Sequence, residues 1–105
     1  MKTITAEELN NWKKENTPHQ LIDVRELYEI ETCSIDGQYI PMAEILGRTE
    51  EIRRDIPVVI HCKSGKRSTA VVHALEQKFG FDNLYTLEGG IMAWIDHVDQ
   101  KLMKY

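Results

Sequence analysis

The sequence predicts an α/β domain of three layers, a mainly parallel central sheet with helices on both faces. Two observations carry this. Short apolar runs at residues 20–24, 57–61 and 84–87 alternate with stretches whose apolar residues recur at helical spacing. The run at 57–61 is β-branched and continuous rather than alternating, as expected of a strand buried on both faces. Length sets the scale: 105 residues fit one domain, spanning 1–105, with a single core. With 42% apolar and 29% charged residues, the composition is globular and excludes a disordered, collagenous or disulfide-knit chain.

The elements follow in order. Thr5-Ala6-Glu7-Glu8 fits a capping box, so a helix should follow, bury Leu9 and Trp12, and stop before Pro18. Residues 20–24 form the first buried strand. Residues 27–31 make a helical turn, Asp36-Gly37 a turn, and Ile40-Pro41 an extended pair. Short helices are expected over 42–46 and 50–54. After the strand at 57–61 comes the polar loop Cys62-Lys63-Ser64-Gly65-Lys66-Arg67-Ser68. A helix follows that loop, with Val71, Ala74, Leu75 and Phe79 on its apolar face and Gly80 as its C-terminal stop. Residues 84–87 form a strand and Gly89-Gly90 a tight turn. Ile91, Trp94, Ile95, Val98 and Leu102 then mark a final amphipathic helix.

The chemistry concentrates in the loop after the clearest strand. Active residues of parallel α/β folds gather at the carboxyl ends of strands, where Cys62 stands. The first amides of the following helix lack intrahelical partners, and the helix dipole adds partial positive charge. A loop that curls back can aim several amides at one point, and a cysteine sulfur there is stabilised as thiolate. Lys63, Lys66 and Arg67 add three positive charges in a chain whose net charge is −4. Gly65 permits a close backbone approach. A cysteine after a strand is commonly a small buried hydrophobe. The polar residues that follow Cys62 argue against burial on that side and for a reactive thiol.

Cys62-Lys63-Ser64-Gly65-Lys66-Arg67-Ser68 resembles the active loop of single-domain rhodaneses, C-x-x-G-x-R-[ST]. Leu21-Ile22-Asp23-Val24-Arg25-Glu26 is similar to the first signature of that family, and Leu87-Glu88-Gly89-Gly90-Ile91-Met92-Ala93-Trp94 to its C-terminal one. One stretch departs: Cys33-Ser34-Ile35-Asp36-Gly37-Gln38-Tyr39-Ile40-Pro41 is one residue short and lacks a Gly-His pair. That variant is similar to rhodanese domains appended to sulfur-carrier-activating enzymes. The resemblance implies a rhodanese-like fold and a sulfurtransferase that moves a sulfane sulfur from thiosulfate or a persulfide donor to a thiol or cyanide through a persulfide on Cys62. It implies that Cys62 and Arg67 are catalytic and that Lys63, Ser64, Gly65, Lys66 and Ser68 bind the substrate. Implied partners are a small anionic sulfur donor and a sulfur-carrier or cysteine desulfurase protein.

Two alternatives stand beside this reading. One is a persulfide-relay module with little small-molecule turnover. The other is a phosphatase or arsenate reductase, disfavoured because Cys62 and Arg67 bracket four residues, one fewer than in phosphatase loops of similar architecture. Ser68 is read as a helix cap or, as the second choice, a donor to the loop. Asp23 and Arg25 read as structural, Glu26 as a surface charge, and Cys33 as an ordinary buried thiol, with a disulfide to Cys62 as its redox alternative. In an alternating strand, the His61 side chain should face away from that of Cys62. The four histidines lack metal-ligand spacing, so neither a metal nor another cofactor is expected. The acidic balance argues against nucleic acid as a partner. The chain has no long apolar run and no secretory leader, and its two cysteines make no disulfide framework. A cytoplasmic protein with no membrane partner is expected.

Overall fold

The computed structural model describes residues 1–105. Five strands, β1 (Lys2–Ile4), β2 (Gln20–Asp23), β3 (Gln38–Tyr39), β4 (Val58–His61) and β5 (Leu84–Leu87), form one parallel sheet in the order β1-β5-β4-β2-β3. Four helices connect them: α1 (Ala6–Lys14), α2 (Leu27–Thr32), α3 (Lys66–Phe79) and α4 (Gly90–His97). Parallel neighbours need crossovers, and helices cover both faces of the sheet, giving the expected three layers. No helix is long and apolar enough to cross a membrane.

Side-chain alternation along β4 divides the core in two. Val58 and Ile60 point to one side, where Val71, Val72 and Leu75 of α3 meet them. Val59 points to the other, among Leu9 of α1 and Ile91, Trp94 and Ile95 of α4. Each fully buried aliphatic side chain contributes about 1.5–3 kcal/mol by leaving water. The helix-start reading at Thr5 holds in atomic detail. The Glu8 amide donates to Thr5 Oγ1 at 3.1 Å, and the Thr5 amide donates to Glu8 Oε1 at 2.9 Å. Gly80 ends α3 in the left-handed region, at φ +70°.

Several local expectations are corrected. β1 and β3 carried no sequence signal, because edge strands of three and two residues are too short to show a pattern. The short helices expected over 42–46 and 50–54 are single 3-10 turns at Ile45–Gly47 and Thr49–Glu51. Arg48 links those turns by ion pairs with Glu44 (3.0 Å) and Glu51 (2.6 Å). Phe79 lies exposed at the end of α3, and the buried residue missed on that helix is Val72. The last helix stops at His97, and Val98 and Leu102 cover the core from beyond its end.

Candidate active site

Register brings the carboxyl ends of β2 and β4 together, with Asp23 beside His61. Cys62, the next residue, continues the row of Val58 and Ile60 into the core against α3. Its side chain is 1% exposed. The sequence reading expected polar neighbours to keep this thiol at the surface, and the structure corrects that. Ser64 and Lys66 are exposed, but the loop backbone folds back over the sulfur. Gly65, at φ +106°, makes that fold possible and caps α3 without a side chain. The Gly65 amide then donates to Cys62 Sγ at 3.1 Å, and the Ser68 amide donates to it at 3.4 Å. Two main-chain donors thus converge on one sulfur.

Helix α3 begins at Lys66, inside the segment read as loop. Lys66, Arg67 and Ser68 therefore form its first turn. Ser68 is not the cap, because Gly65 occupies that position. The Ser68 hydroxyl instead donates to the Gly65 carbonyl at 3.1 Å and accepts from the Cys62 thiol at 3.6 Å. It also lies 2.6 Å from Thr86 Oγ1 on β5.

The N-terminus of α4 supports the loop from behind. The Ile91 amide donates to the Cys62 carbonyl at 2.9 Å and the Met92 amide to the Lys63 carbonyl at 3.2 Å. These bonds draw the loop carbonyls toward α4. The approach is so close that a Cβ on Gly90 would lie 2.4 Å from the Lys63 oxygen, and Gly90 itself sits at φ +59°. The Gly89-Gly90 pair read as a turn is also the contact surface of the loop.

The three loop cations have different settings. Arg67, catalytic by the resemblance, points toward α2. Its two terminal nitrogens donate to the Glu29 carboxylate at 2.6 and 2.8 Å. Lys63 Nζ lies over the Tyr105 ring, 4.5 Å from its centre. Exposed Lys66 borders an open groove of about 500 Å³ with Ser64, Gly65, Thr86, Glu88 and Gly89.

Glu29 and Tyr105 were missed by the sequence reading. Glu29 is 2% exposed. The Tyr105 hydroxyl donates to Glu29 Oε2 at 2.6 Å and accepts from Arg25 at 3.0 Å. Arg25 is fully buried and paired with Asp23 at 2.8 Å, in keeping with a structural role for both. A polar chain therefore runs from Asp23 through Arg25, Tyr105 and Glu29 to Arg67. Hydrogen bonds from Arg67 hold the Glu29 carboxyl down to about 2; burial opposes them, and Tyr105 and the Glu26 amide add to them. Burial, aided by Glu29, pushes the Tyr105 hydroxyl up to about 12, so it is a protonated donor at neutral pH. Burial also holds the His61 ring below the usual histidine range, against the pull of Asp23 at 3.4 Å. The Glu29 signal was hidden because α2 inverts the usual pattern: Leu27 and Tyr28 are exposed at 58% and 67% while the carboxylate is buried. Cys33 is buried among the α1 and α4 side chains, on the opposite face of the sheet from the Cys62 thiol.

A rhodanese-like domain model matches residues 5–97. The chain belongs to that family. It is 39% identical over 95 residues to the uncharacterized protein YqhL of Bacillus subtilis, covering 90% of this chain and 72% of that protein. It is 32% identical over 106 residues to the probable adenylyltransferase/sulfurtransferase MoeZ of Mycobacterium tuberculosis, covering 98% of this chain. The chain spans only 27% of the length of MoeZ. A rhodanese-like domain protein from Staphylococcus aureus superposes with a TM-score of 0.81 at 32% identity, covering 100% of this chain and 99% of that one. A rhodanese-related protein from Thermoplasma volcanium gives 0.79 at 30% identity, covering 93% and 94%. The rhodanese-like domain is thus related to sulfurtransferase domains, and its fold is the one that the sequence motifs implied.

Proposed function

We propose that the protein is a sulfurtransferase that carries a sulfane sulfur as a persulfide on Cys62. The observation that carries this reading is the convergence of the Gly65 and Ser68 amides on the Cys62 sulfur, at 3.1 and 3.4 Å. Amides fixed by the fold favour an anion without reorganising when it forms. The Cys62 thiolate attacks the outer sulfur of thiosulfate. A new sulfur–sulfur bond forms, the bond to the sulfite group breaks, and sulfite leaves with the electron pair. An acceptor thiolate or cyanide then attacks the outer sulfur of the persulfide, and Cys62 departs as thiolate. No separate base is needed, since nucleophile and leaving group are both anionic sulfur.

Within this reading Cys62 is the nucleophile, and Gly65 and Ser68 supply the anion-binding amides. Lys66 and Ser64, along the groove, meet the donor at the surface. Lys63 and Arg67 contribute long-range positive potential, which salt weakens. Arg67 also fixes the first turn of α3 by its pair with Glu29. The donor class is a small sulfur-bearing anion. Protein partners extend to a cysteine desulfurase as persulfide donor and a sulfur carrier as acceptor, in line with relatives such as MoeZ that bear the name adenylyltransferase/sulfurtransferase.

The test is the intact mass of the protein after thiosulfate treatment. A gain of one sulfur that disappears in Cys62→Ser supports the reading. No gain, or a gain that persists in Cys62→Ser, overturns it. Thiocyanate release on adding cyanide then separates an enzyme with small-molecule turnover from a relay module, for which release is slow and exchange with a protein thiol fast.

A further inference from the structure

The buried hydroxyl of Thr86 belongs to none of the motifs, yet it contacts the one side-chain hydroxyl that reaches the Cys62 sulfur. Ser68 Oγ has a single proton and three neighbours: the Gly65 carbonyl at 3.1 Å, Thr86 Oγ1 at 2.6 Å and Cys62 Sγ at 3.6 Å. The carbonyl can only accept. While Cys62 is a thiol, Ser68 donates to that carbonyl, so the Thr86 hydroxyl must be the donor in the short 2.6 Å contact. When the thiol loses its proton, Ser68 Oγ–H is free to swing from the carbonyl to the negative sulfur. Thr86 donates to Ser68 in both states and so polarises the swinging hydroxyl.

We propose that Thr86 is a positioning residue for the Cys62 anion, acting through Ser68 as a two-hydroxyl relay that turns a third hydrogen bond onto the sulfur when it becomes charged. The relay rests on Cys62 as the nucleophile of the proposed function. The only bond that breaks is the S–H bond of Cys62, whose proton goes to solvent and whose electron pair stays on sulfur, while one hydroxyl rotates. β5 supplies Thr86 from the strand beside β4, in parallel register with Ile60, so the sheet itself fixes its distance from the loop. The charged and titratable groups of the site come from other elements: Arg67 on α3, which acts on Cys62 and pairs with Glu29 on α2, Lys63 in the loop over the terminal Tyr105, and His61 on β4 beside Asp23 on β2. None of them contacts Thr86 Oγ1, so a change at 86 leaves that set in place.

The experiment is the rate of iodoacetamide alkylation of Cys62 against pH in wild type, Thr86→Val, Thr86→Ser, Ser68→Ala and the double variant Ser68→Ala/Thr86→Val. Valine keeps the shape and strand preference of threonine and removes only the donor. The expected result for Thr86→Val is a rate lowered roughly fivefold at pH 6, the scale of a weakened hydrogen bond to a charged group, and unchanged at pH 10. Thr86→Ser, with its hydroxyl restored, should match wild type, and Thr86→Val should add nothing in the Ser68→Ala background. Equal slowing at both pH values would overturn the relay, because it would indicate altered access. A full Thr86→Val effect without Ser68 would also overturn it, as would wild-type rates in Thr86→Val. The readout is independent of sulfur transfer. Failure to gain sulfur from thiosulfate would sink the proposed function, whereas flat alkylation profiles would sink the relay alone.

Discussion

Replacing Glu29 by glutamine removes the charge that binds Arg67 while keeping size and most hydrogen-bonding capacity. The wild-type carboxyl sits near 2 instead of its usual 4.5, first through the Arg67 hydrogen bonds and against the opposing effect of burial. At about 1.4 kcal/mol per pKa unit, that difference corresponds to about 3 kcal/mol of folded-state stability at neutral pH. Solvent reaches about a third of the Arg67 side chain (34%), which lowers the expected cost to about 2 kcal/mol. The folded value lies below the unfolded one. The stabilisation is therefore present above about pH 4.5 and is lost as the pH falls toward 2. By pH 3 about 60% of it should be gone, so the gap between wild type and Glu29→Gln should shrink from about 2 to about 1 kcal/mol. Urea unfolding of both proteins at pH 7 and pH 3 measures the gap directly, and other titrating groups cancel in the difference. A gap equal at the two pH values, or below about 0.5 kcal/mol at pH 7, would refute the assignment of Glu29 as the charged anchor of Arg67.

Other perturbations probe the supporting shell. Gly90→Ala should destabilise the protein by about 2 kcal/mol or more and slow Cys62 alkylation, because its Cβ would meet the Lys63 carbonyl at 2.4 Å; wild-type values in thermal melts and alkylation would contradict the contact. Tyr105→Phe removes a hydroxyl bonded to both Glu29 and Arg25, and should cost about 1–2 kcal/mol in urea unfolding. Arg25→Met leaves the Asp23 carboxylate buried without its partner, and a loss of about 3–5 kcal/mol is expected. Leu75→Ala opens a cavity beside β4 and should cost about 2–5 kcal/mol.

What could be read from the sequence was local. Thr5 and Glu8 cap α1 through bonds within four residues of chain, and the β-branched run at Val58 to Ile60 identifies a covered central strand in any context. The nucleophile candidate was visible because Cys62, Gly65 and the following helix are contiguous. Contacts between distant segments were not visible. Glu29 meets Arg67 across 38 positions and Tyr105 across 76, and nothing near residue 29 signals that its carboxylate is buried. Thr86 reaches Ser68 only because β5 lies beside β4, and that neighbour relation comes from sheet order rather than from spacing. The sequence suggested an exposed thiol from polar neighbours. The inward curl of the loop and the role of Gly65 were legible, but not that the same curl would leave the sulfur buried.

A crystal structure of the thiosulfate-treated protein tests the persulfide on Cys62 most directly. A second sulfur is expected on Cys62 Sγ, held by main-chain amides at the first turn of α3, with Cys33 unmodified. An extra sulfur pointing away from those amides, or found on Cys33 instead, would contradict it.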